Sequence, residues 1–568
     1  MIVKLAYGML LAFISVNLLS IAFVGAYAWD DGAITLAYAQ SLAESGRFAL
    51  TGVSEVVEGT STILLVLILA AADKIFHFNF YQFIFFSQLL ALFFALLVLI
   101  LVYRALRDKI QDRAQCLLIS VLMSFLPMVM TEIQNGMEMT LFAALLMFFV
   151  MAYERRSHWI YVAITLLLLV RFESIFYLPA SLGALYFVTR ESKLLKYVGF
   201  TVFMFLVFSA VRYVYFDELL PNTIIAKMQE PYTPKGLYDK LIFKWKGLLE
   251  FAAVYSGFLL ALGFLLAVNK SSYRALLLPN IKFWLFASFL IFAVISGKNW
   301  GYDGRMVLGC LPVLILLLAD LTPAQDIITV RKWDGAVLFS AQKNQLAFFL
   351  PLAAIALCFL SNAPLLASDI KKIIKGGFYH GYLPEIGNAM AANYLEKNNL
   401  INNYGISPEN YRITGLTADE LRKLLGLPQI RLMTPDVGGV GLCCAKIDVI
   451  DIALLTNRFL AKNGYAAFDT LLESQPPDII EMHKPWPTIT NIYASAFFNR
   501  NYMPVVFNNN LLWLRKTHFT SLRGAPNLSI TELHEAGELR NVRSAQYSSD
   551  TDFIFNGYPG KLYRIDTL

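Results

Sequence analysis

Lys4 is followed by an apolar run to Ala28, and further apolar segments recur along the first two thirds of the chain. They cover roughly 61–76, 81–103, 114–131, 138–153, 158–170, 174–189, 197–215, 248–268, 282–297, 306–320 and 345–361. Basic residues gather in the short polar stretches between them: Arg104/Arg107/Lys109/Arg113, Arg155/Arg156, Arg190/Lys193/Lys196, Lys270/Arg274 and Arg331/Lys332/Lys343. Placing all of these clusters in the cytoplasm gives a self-consistent alternation from 104 onward. The first run ends Ala26-Tyr27-Ala28, as a cleavage site would. It is longer than a signal-peptide core, so it reads as an uncleaved first helix with its N-terminus inside.

The alternation leaves room for only one span between Ala28 and 104, where two apolar segments lie. Segment 61–76 rises about 24 Å as a helix, short of a hydrocarbon core of about 30 Å, and it contains Asp73 and Lys74. It therefore reads as an outer, juxtamembrane or half-inserted helix. The expected fold is an α-helical polytopic membrane protein with about eleven transmembrane helices plus outer juxtamembrane helices, N-terminus in and C-terminus out. The hairpin 158–189 puts Arg171 and Glu173 at an outer turn, where charges close to lipid call for a pairing or functional role. Residues 1–362 form the membrane domain, with 29–80 as its first outer loop. Residues 363–568 read as an extracytoplasmic soluble domain of mixed α/β type, with strand-like stretches at 430–433 and 503–515 and helical runs near 386–397, 417–425 and 451–463.

Composition agrees with the pattern. The 568 residues are 57% hydrophobic and 15% charged, with a mean hydropathy of +0.56, more apolar surface than a soluble protein of this length can bury. A net charge of +6 fits basic cytoplasmic loops and gives no argument for nucleic acid. The five cysteines show no metal-ligand spacing, and neighbouring Cys443-Cys444 are expected to stay structural thiols. The histidines form no ligand pair at helical spacing.

The strongest chemical signal is Trp29-Asp30-Asp31, directly after the first span. Two carboxylates at a membrane exit require a cation or a proton-transfer role, unless they are a helix-capping pair. Adjacent carboxylates raise one another's pKa, which suits a general base. Farther along stand Glu58-Gly59-Thr60, Asn135-Gly136-Met137-Glu138, Arg171-Phe172-Glu173, Leu219-Leu220-Pro221-Asn222-Thr223 with Lys227, and Lys298-Asn299-Trp300 followed by Tyr302 and Arg305. Val437-Gly438-Gly439-Val440-Gly441 and Val449-Ile450-Asp451 lie in the soluble part.

Taken in order, these segments resemble bacterial GT-C glycosyltransferases related to the mycobacterial terminal arabinofuranosyltransferase. Gly32 stands where that family has alanine, Leu36 where it has an aromatic residue, and Lys298-Asn299 where it has Gly-Asp. The resemblance implies a transferase that moves a sugar, arabinofuranose in those relatives, from a polyprenyl-phosphate donor with inversion. Asp30 would be the base, and Asp31 would place it or share its proton. Arg171, Lys227 and Arg305 would bind the donor phosphate. Glu58, Asn135, Glu138, Glu173, Asn222 and Trp300 are candidate sugar or acceptor contacts. Each has a plainer alternative: an Arg171–Glu173 ion pair, a helix cap at Glu138, a turn at Glu58, or loop structure at Asn135, Asn222 and Trp300. Asp30, Asp31 and Glu138 could also share a divalent cation.

The implied partners are the lipid-linked sugar, membrane lipid, and a glycan or protein acceptor such as a pilin. The implied location is the bacterial inner membrane, with site and soluble domain outside. Two rival readings are a lipid-linked-sugar transporter or flippase and a non-catalytic scaffold. The first predicts mid-span charges or repeats, which the sequence lacks, and the second leaves the aspartate pair unexplained. A topology reporter inserted near residue 78 is expected to face outward; a cytoplasmic signal would restore 61–76 as a span.

Overall fold

Helix α1 (Ile2–Val24) runs into a short 3-10 turn ending at Tyr27, and α2 (Asp30–Ser45) begins after Trp29 with both aspartates in its first turn. Acidic groups there complement the helix dipole. Gly46, at φ 70°, closes α2 in the left-handed conformation that suits a glycine. This computed structural model describes residues 2–230, 232, 234, 236–268, 277–297, 305–321, 327–331, 337–342, 348–360, 407–539, 542 and 550–567.

Helix α3 (Ile63–Phe76) packs against α2, with Leu65, Val66 and Leu69 buried. Helix α4 (Phe80–Arg107) starts at a reciprocal capping box between Asn79 and Gln82. Helices α5 (Arg113–Ser124) and α6 (Pro127–Asn135) meet at a 61° bend, with Pro127 at the first position of α6. The short helices α7 (Met139–Glu154), α8 (Trp159–Val170) and α9 (Ser174–Thr189) precede the long α10 (Ser192–Phe216). After α11 (Asn222–Lys227) come α12 (Leu237–Val254) and α13 (Ser256–Val268), bent by 78° at Tyr255, then α14 (Ile281–Ser296), α15 (Cys310–Asp320) and α16 (Phe348–Leu360).

The expectation of eleven spans is corrected. Among the described residues three helices are long and apolar enough to cross a bilayer, or five if each bent pair counts as one span. Hydropathy alone counted apolar runs without seeing where the backbone breaks, as at Pro127 and Tyr255. Several runs also form helices of only 12 to 16 residues, about 18–24 Å long. The fold is a polytopic, mostly helical membrane bundle followed by a mixed α/β domain.

The bundle has two chemically distinct ends. At one, buried Lys282 bonds Glu154 and reaches Asp320 at 2.7 Å, while Lys109 reaches Asp320 at 3.0 Å. This network ties together the ends of α4, α7, α14 and α15. At the other end lie Glu138, Arg171 and Arg305, the last two beside Met306 and Asp31 respectively. The 16 residues of α7 separate Glu138 from Glu154, about 24 Å along the axis.

In the described residues, strands β1 (Ile327–Arg331) and β2 (Val337–Gln342) form an antiparallel pair. The C-terminal domain begins in the described residues with α17 (Pro408–Leu424), capped by Ser407. Its sheet comprises β3 (Ile430–Thr434), β4 (Ile447–Asp451), β5 (Ile479–Ile480), β6 (Tyr502–Phe507), β7 (Asn510–Arg515), β8 (Leu528–Leu533) and β9 (Leu562–Thr567), in the order β4-β3-β5-β7-β6-β9-β8. The β3–β4, β3–β5 and β6–β9 pairs are parallel and the others antiparallel. Asn508 and Asn509, both at positive φ, make the two-residue turn between β6 and β7. Between β3 and β4 lies α18 (Gly438–Cys443). Helix α19 (Arg458–Asn463) is shorter than the helical run expected over 451–463, because Asp451 binds the Ala453 and Thr456 amides and folds the chain into a loop first. The run expected near 386–397 lies outside the described residues.

Cys443 and Cys444 are joined by a disulfide, contrary to expectation. Helix α18 ends at Cys443 and the backbone turns non-helical at Cys444, which brings the neighbouring sulfurs together. Cys116, Cys310 and Cys358 are free and buried.

The domain rests on the segment that follows α2 and on Tyr232. Thr51 donates to the Ile447 carbonyl, the Val449 amide to Ser54, Arg458 to the Val56 carbonyl and Tyr232 to the Ala453 carbonyl. Gly59 sits at a tight part of this seam, where a Cβ would come within 2.4 Å of the Tyr38 hydroxyl and 2.6 Å of Thr456 Cγ2. Gly59→Ala is expected to destabilise the protein by about 1–3 kcal/mol through overpacking, read as a lower unfolding midpoint in detergent.

Candidate active site

The site is assembled where α2 meets α6 and α18. The Trp29 amide donates to Asn135 Oδ1 at 2.8 Å, which fixes the start of α2. Gly32 lets the helices touch, since a Cβ there would lie 2.4 Å from the Asn135 carbonyl oxygen. Asn135 thus serves at least this joint, and Gly32 stands where even alanine would collide.

The two aspartates have separate environments. Asp30 is 2% exposed, and its Oδ2 and Oδ1 accept the Gly438 and Gly439 amides at 2.6 and 2.8 Å. Burial pushes its carboxyl well above the usual range, with Asp436 adding to the rise and the two amides opposing it. The Asp31 side chain is 43% exposed and accepts from Arg305 Nη1 at 2.8 Å.

Arg305 lies in a 3-10 turn, Arg305–Val307, ahead of α15. The turn is held by Tyr255, buried at the bend between α12 and α13, whose hydroxyl donates to the Val307 carbonyl at 2.6 Å. Arg305 Nε has no protein partner among the described residues.

Arg171 follows the last residue of α8 and is 3% exposed. It makes a two-point contact with Glu173 at 3.0 and 2.7 Å and bonds Glu138 with another nitrogen. Burial alone would raise the Glu173 carboxyl, but Arg171 and then Lys227 hold it below its ordinary value. Most of the Arg171 charge is therefore engaged by two carboxylates. Lys227, the last residue of α11, is exposed to water and near enough to Arg171, Glu173, Arg305 and Asp31 to feel their charges. Burial and then Arg171 push its ammonium below the ordinary value, while Glu173 and Asp31 oppose them.

The other expected contacts have structural partners. Glu58 binds Arg212 through both oxygens, and that guanidinium stacks over Phe172 at 5.6 Å. Asn222 donates to the Leu454 and Leu455 carbonyls at 2.9 and 2.8 Å, tying α11 to the C-terminal domain. Trp300 lies outside the described residues. Asp30, Asp31 and Glu138 turn to different partners, and among the described residues no group of three or more His, Cys, Asp or Glu could hold a metal.

Sequence reading missed several members. Glu132 is buried, accepts the Met139 amide, and interacts electrostatically with Glu138 and Arg305. Arg212 was hidden near the end of an apolar run. Behind α18 lies a polar cluster. His483 has Asp436 at 3.2 Å and Glu481 at 3.4 Å, and the Tyr411 hydroxyl reaches Asp436 at 3.0 Å. Burial would lower the His483 pKa, but Asp436 and then Glu481 outweigh it and raise it from 6.5 to about 10. A basic side chain inside an apolar run was the signal available for Arg212, and an acidic one directly after such a run was the signal for Glu132. The His483 cluster had none.

No protein-family model matches the chain, and no curated protein matches it. Among solved structures it is similar to the crystal structure of ArnT from Cupriavidus metallidurans bound to undecaprenyl phosphate. The likeness covers 85% of this chain and 94% of that one, at 13% identity and a TM-score of 0.45, below the level that establishes a common fold.

Replacing Arg171 leaves two buried carboxylates without their shared cation. Arg171→Ala is expected to cost about 3–5 kcal/mol, seen as loss of the folded form or a strongly lowered unfolding midpoint. Glu138→Gln in the same background should recover part of that loss.

Proposed function

We propose that the chain is an inverting GT-C glycosyltransferase using a polyprenyl-phosphate sugar at the outer face of the bacterial inner membrane. The observation that carries this reading is Asp31, a half-exposed carboxylate held by Arg305 at 2.8 Å, with Lys227 among the charges around it. The resemblance of the surrounding segments to transferases of that class supports it. The outer location is supported by the charge bias of the loops and by the Cys443–Cys444 disulfide, a bond that persists in oxidising compartments.

In this reading Asp31 takes the proton from an acceptor hydroxyl as its oxygen bonds to the anomeric carbon. The bond from that carbon to the phosphate oxygen breaks, and its electron pair leaves with the lipid phosphate. Lys227 and Arg305 are the cations available to the departing charge. Arg171 organises Glu138 and Glu173 around them. Arabinofuranose is our proposed sugar, with a surface glycan or a protein such as a pilin as acceptor.

Asp31→Asn in native membranes is expected to lower turnover by about 10²–10⁴-fold, with the donor KM little changed. Transfer would be followed with lipid-linked pentoses and by mass spectrometry of surface glycans and pilins. Wild-type turnover in that variant would overturn the assignment.

A further inference from the structure

The C-terminal domain grips the catalytic helix at one residue. Both oxygens of Asp30 are taken by consecutive backbone amides, Gly438 and Gly439, from more than 400 positions along the chain. The approach is as close as a backbone allows. A Cβ on Gly438 would lie 2.3 Å from the Asp30 carbonyl oxygen, and one on Gly439 would lie 2.1 Å from the Pro408 carbonyl oxygen. Gly441 continues the contact, with Leu50 and Ala37 at 2.8 and 3.1 Å from its would-be Cβ. On the far side, Asp436, two residues before Gly438, is held by Tyr411 and His483, so the loop leading into α18 is itself anchored.

We infer that Asp30 is a positioning residue: the two hydrogen bonds it accepts from the Gly438 and Gly439 amides set the orientation of α2 that points Asp31 at Arg305. The C-terminal domain is thereby part of the catalytic centre rather than an appended glycan-binding module. The inference rests on Asp31 being the base. Asp30 is unsuited to meet an acceptor itself, because it is out of water and both its oxygens are engaged. Loss of the clamp frees α2 to rotate at its first turn, and misplacement of a reacting group by about 1 Å costs on the order of 100-fold in rate.

The test uses the full-length protein in detergent or nanodiscs with a lipid-linked sugar donor and compares Asp30→Asn, Gly438→Ala and Asp31→Asn. Asp30→Asn preserves shape but turns a carboxylate with two acceptors into an amide with one. The expected result is a fall in kcat of about 10–100-fold for Asp30→Asn and for Gly438→Ala, with donor KM within about threefold. Hydrogen exchange should accelerate over 437–443 in Asp30→Asn while the rest of the domain stays protected. Asp31→Asn should be more damaging, by about 10³-fold.

Wild-type kcat in Asp30→Asn would overturn the positioning role and leave the assignment of Asp31 standing. Near-complete loss in Asp30→Asn with only partial loss in Asp31→Asn would overturn both, marking Asp30 as the base. If Gly438→Ala fails to fold, the isosteric Asp30→Asn and its exchange pattern decide alone, and unchanged exchange over 437–443 would count against the clamp.

Discussion

A charge withdrawn from water needs a compensating group, and this requirement organises the whole surface between the helix ends and the C-terminal domain. Glu138 and Glu173 share Arg171, Glu58 takes Arg212, and Asp31 takes Arg305. Asp30 alone among these is met by amides instead of a cation. Apart from Arg171 with Glu173, each pairing joins segments far apart in the chain, so the charges double as the fasteners of the fold. The same holds at the opposite end, where Lys282 gathers Glu154 and Asp320. The apolar helices fill the space between two polar frames.

These fasteners also explain why the C-terminal α/β domain fits where it does. Its seam with the membrane half consists mainly of side chains bonded to backbone groups: Asn222 and Tyr232 reach carbonyls of 453–455, Thr51 reaches Ile447, and Asp30 reaches two amides. Asp451 shapes the loop that presents those carbonyls. Recognition of backbone depends on the course of the chain and little on side-chain identity, so the glycines matter here as clearance.

Local chemistry was legible in the sequence, and long-range partnership was not. The aspartate pair at a helix start, the Arg171–Glu173 turn and the mixed α/β character of the last third follow from residue types a few positions apart. The strands at 430–434 and 502–515 follow from β-rich runs and turn residues. By contrast, nothing near Glu58 names Arg212, 154 positions away, and nothing near Asp30 names Gly438. Apolar runs also conceal where a helix bends: Tyr255 looks like any interfacial tyrosine, yet it marks the 78° break and holds the turn that carries Arg305. The neighbouring cysteines failed for a related reason, since their union depends on the backbone leaving the helix between them.

The split between Asp30 and Asp31 has a consequence for how this chain can vary. Successive residues on a helix point about 100° apart, so the phase of α2 decides which carboxylate meets the C-terminal domain and which meets Arg305. That phase is set by the Asp30 clamp together with Asn135, which meets the Trp29 amide and the bare Cα of Gly32. A residue inserted within α1 shifts a membrane span by about 1.5 Å in depth, which lipid absorbs. A residue inserted between Trp29 and Asp30 instead carries Asp30 into the place of Asp31 and Asp31 into the place of Gly32, against Asn135. Tolerance to length change therefore ends abruptly at the junction of α1 and α2, and the adjacent aspartates are not a redundant pair.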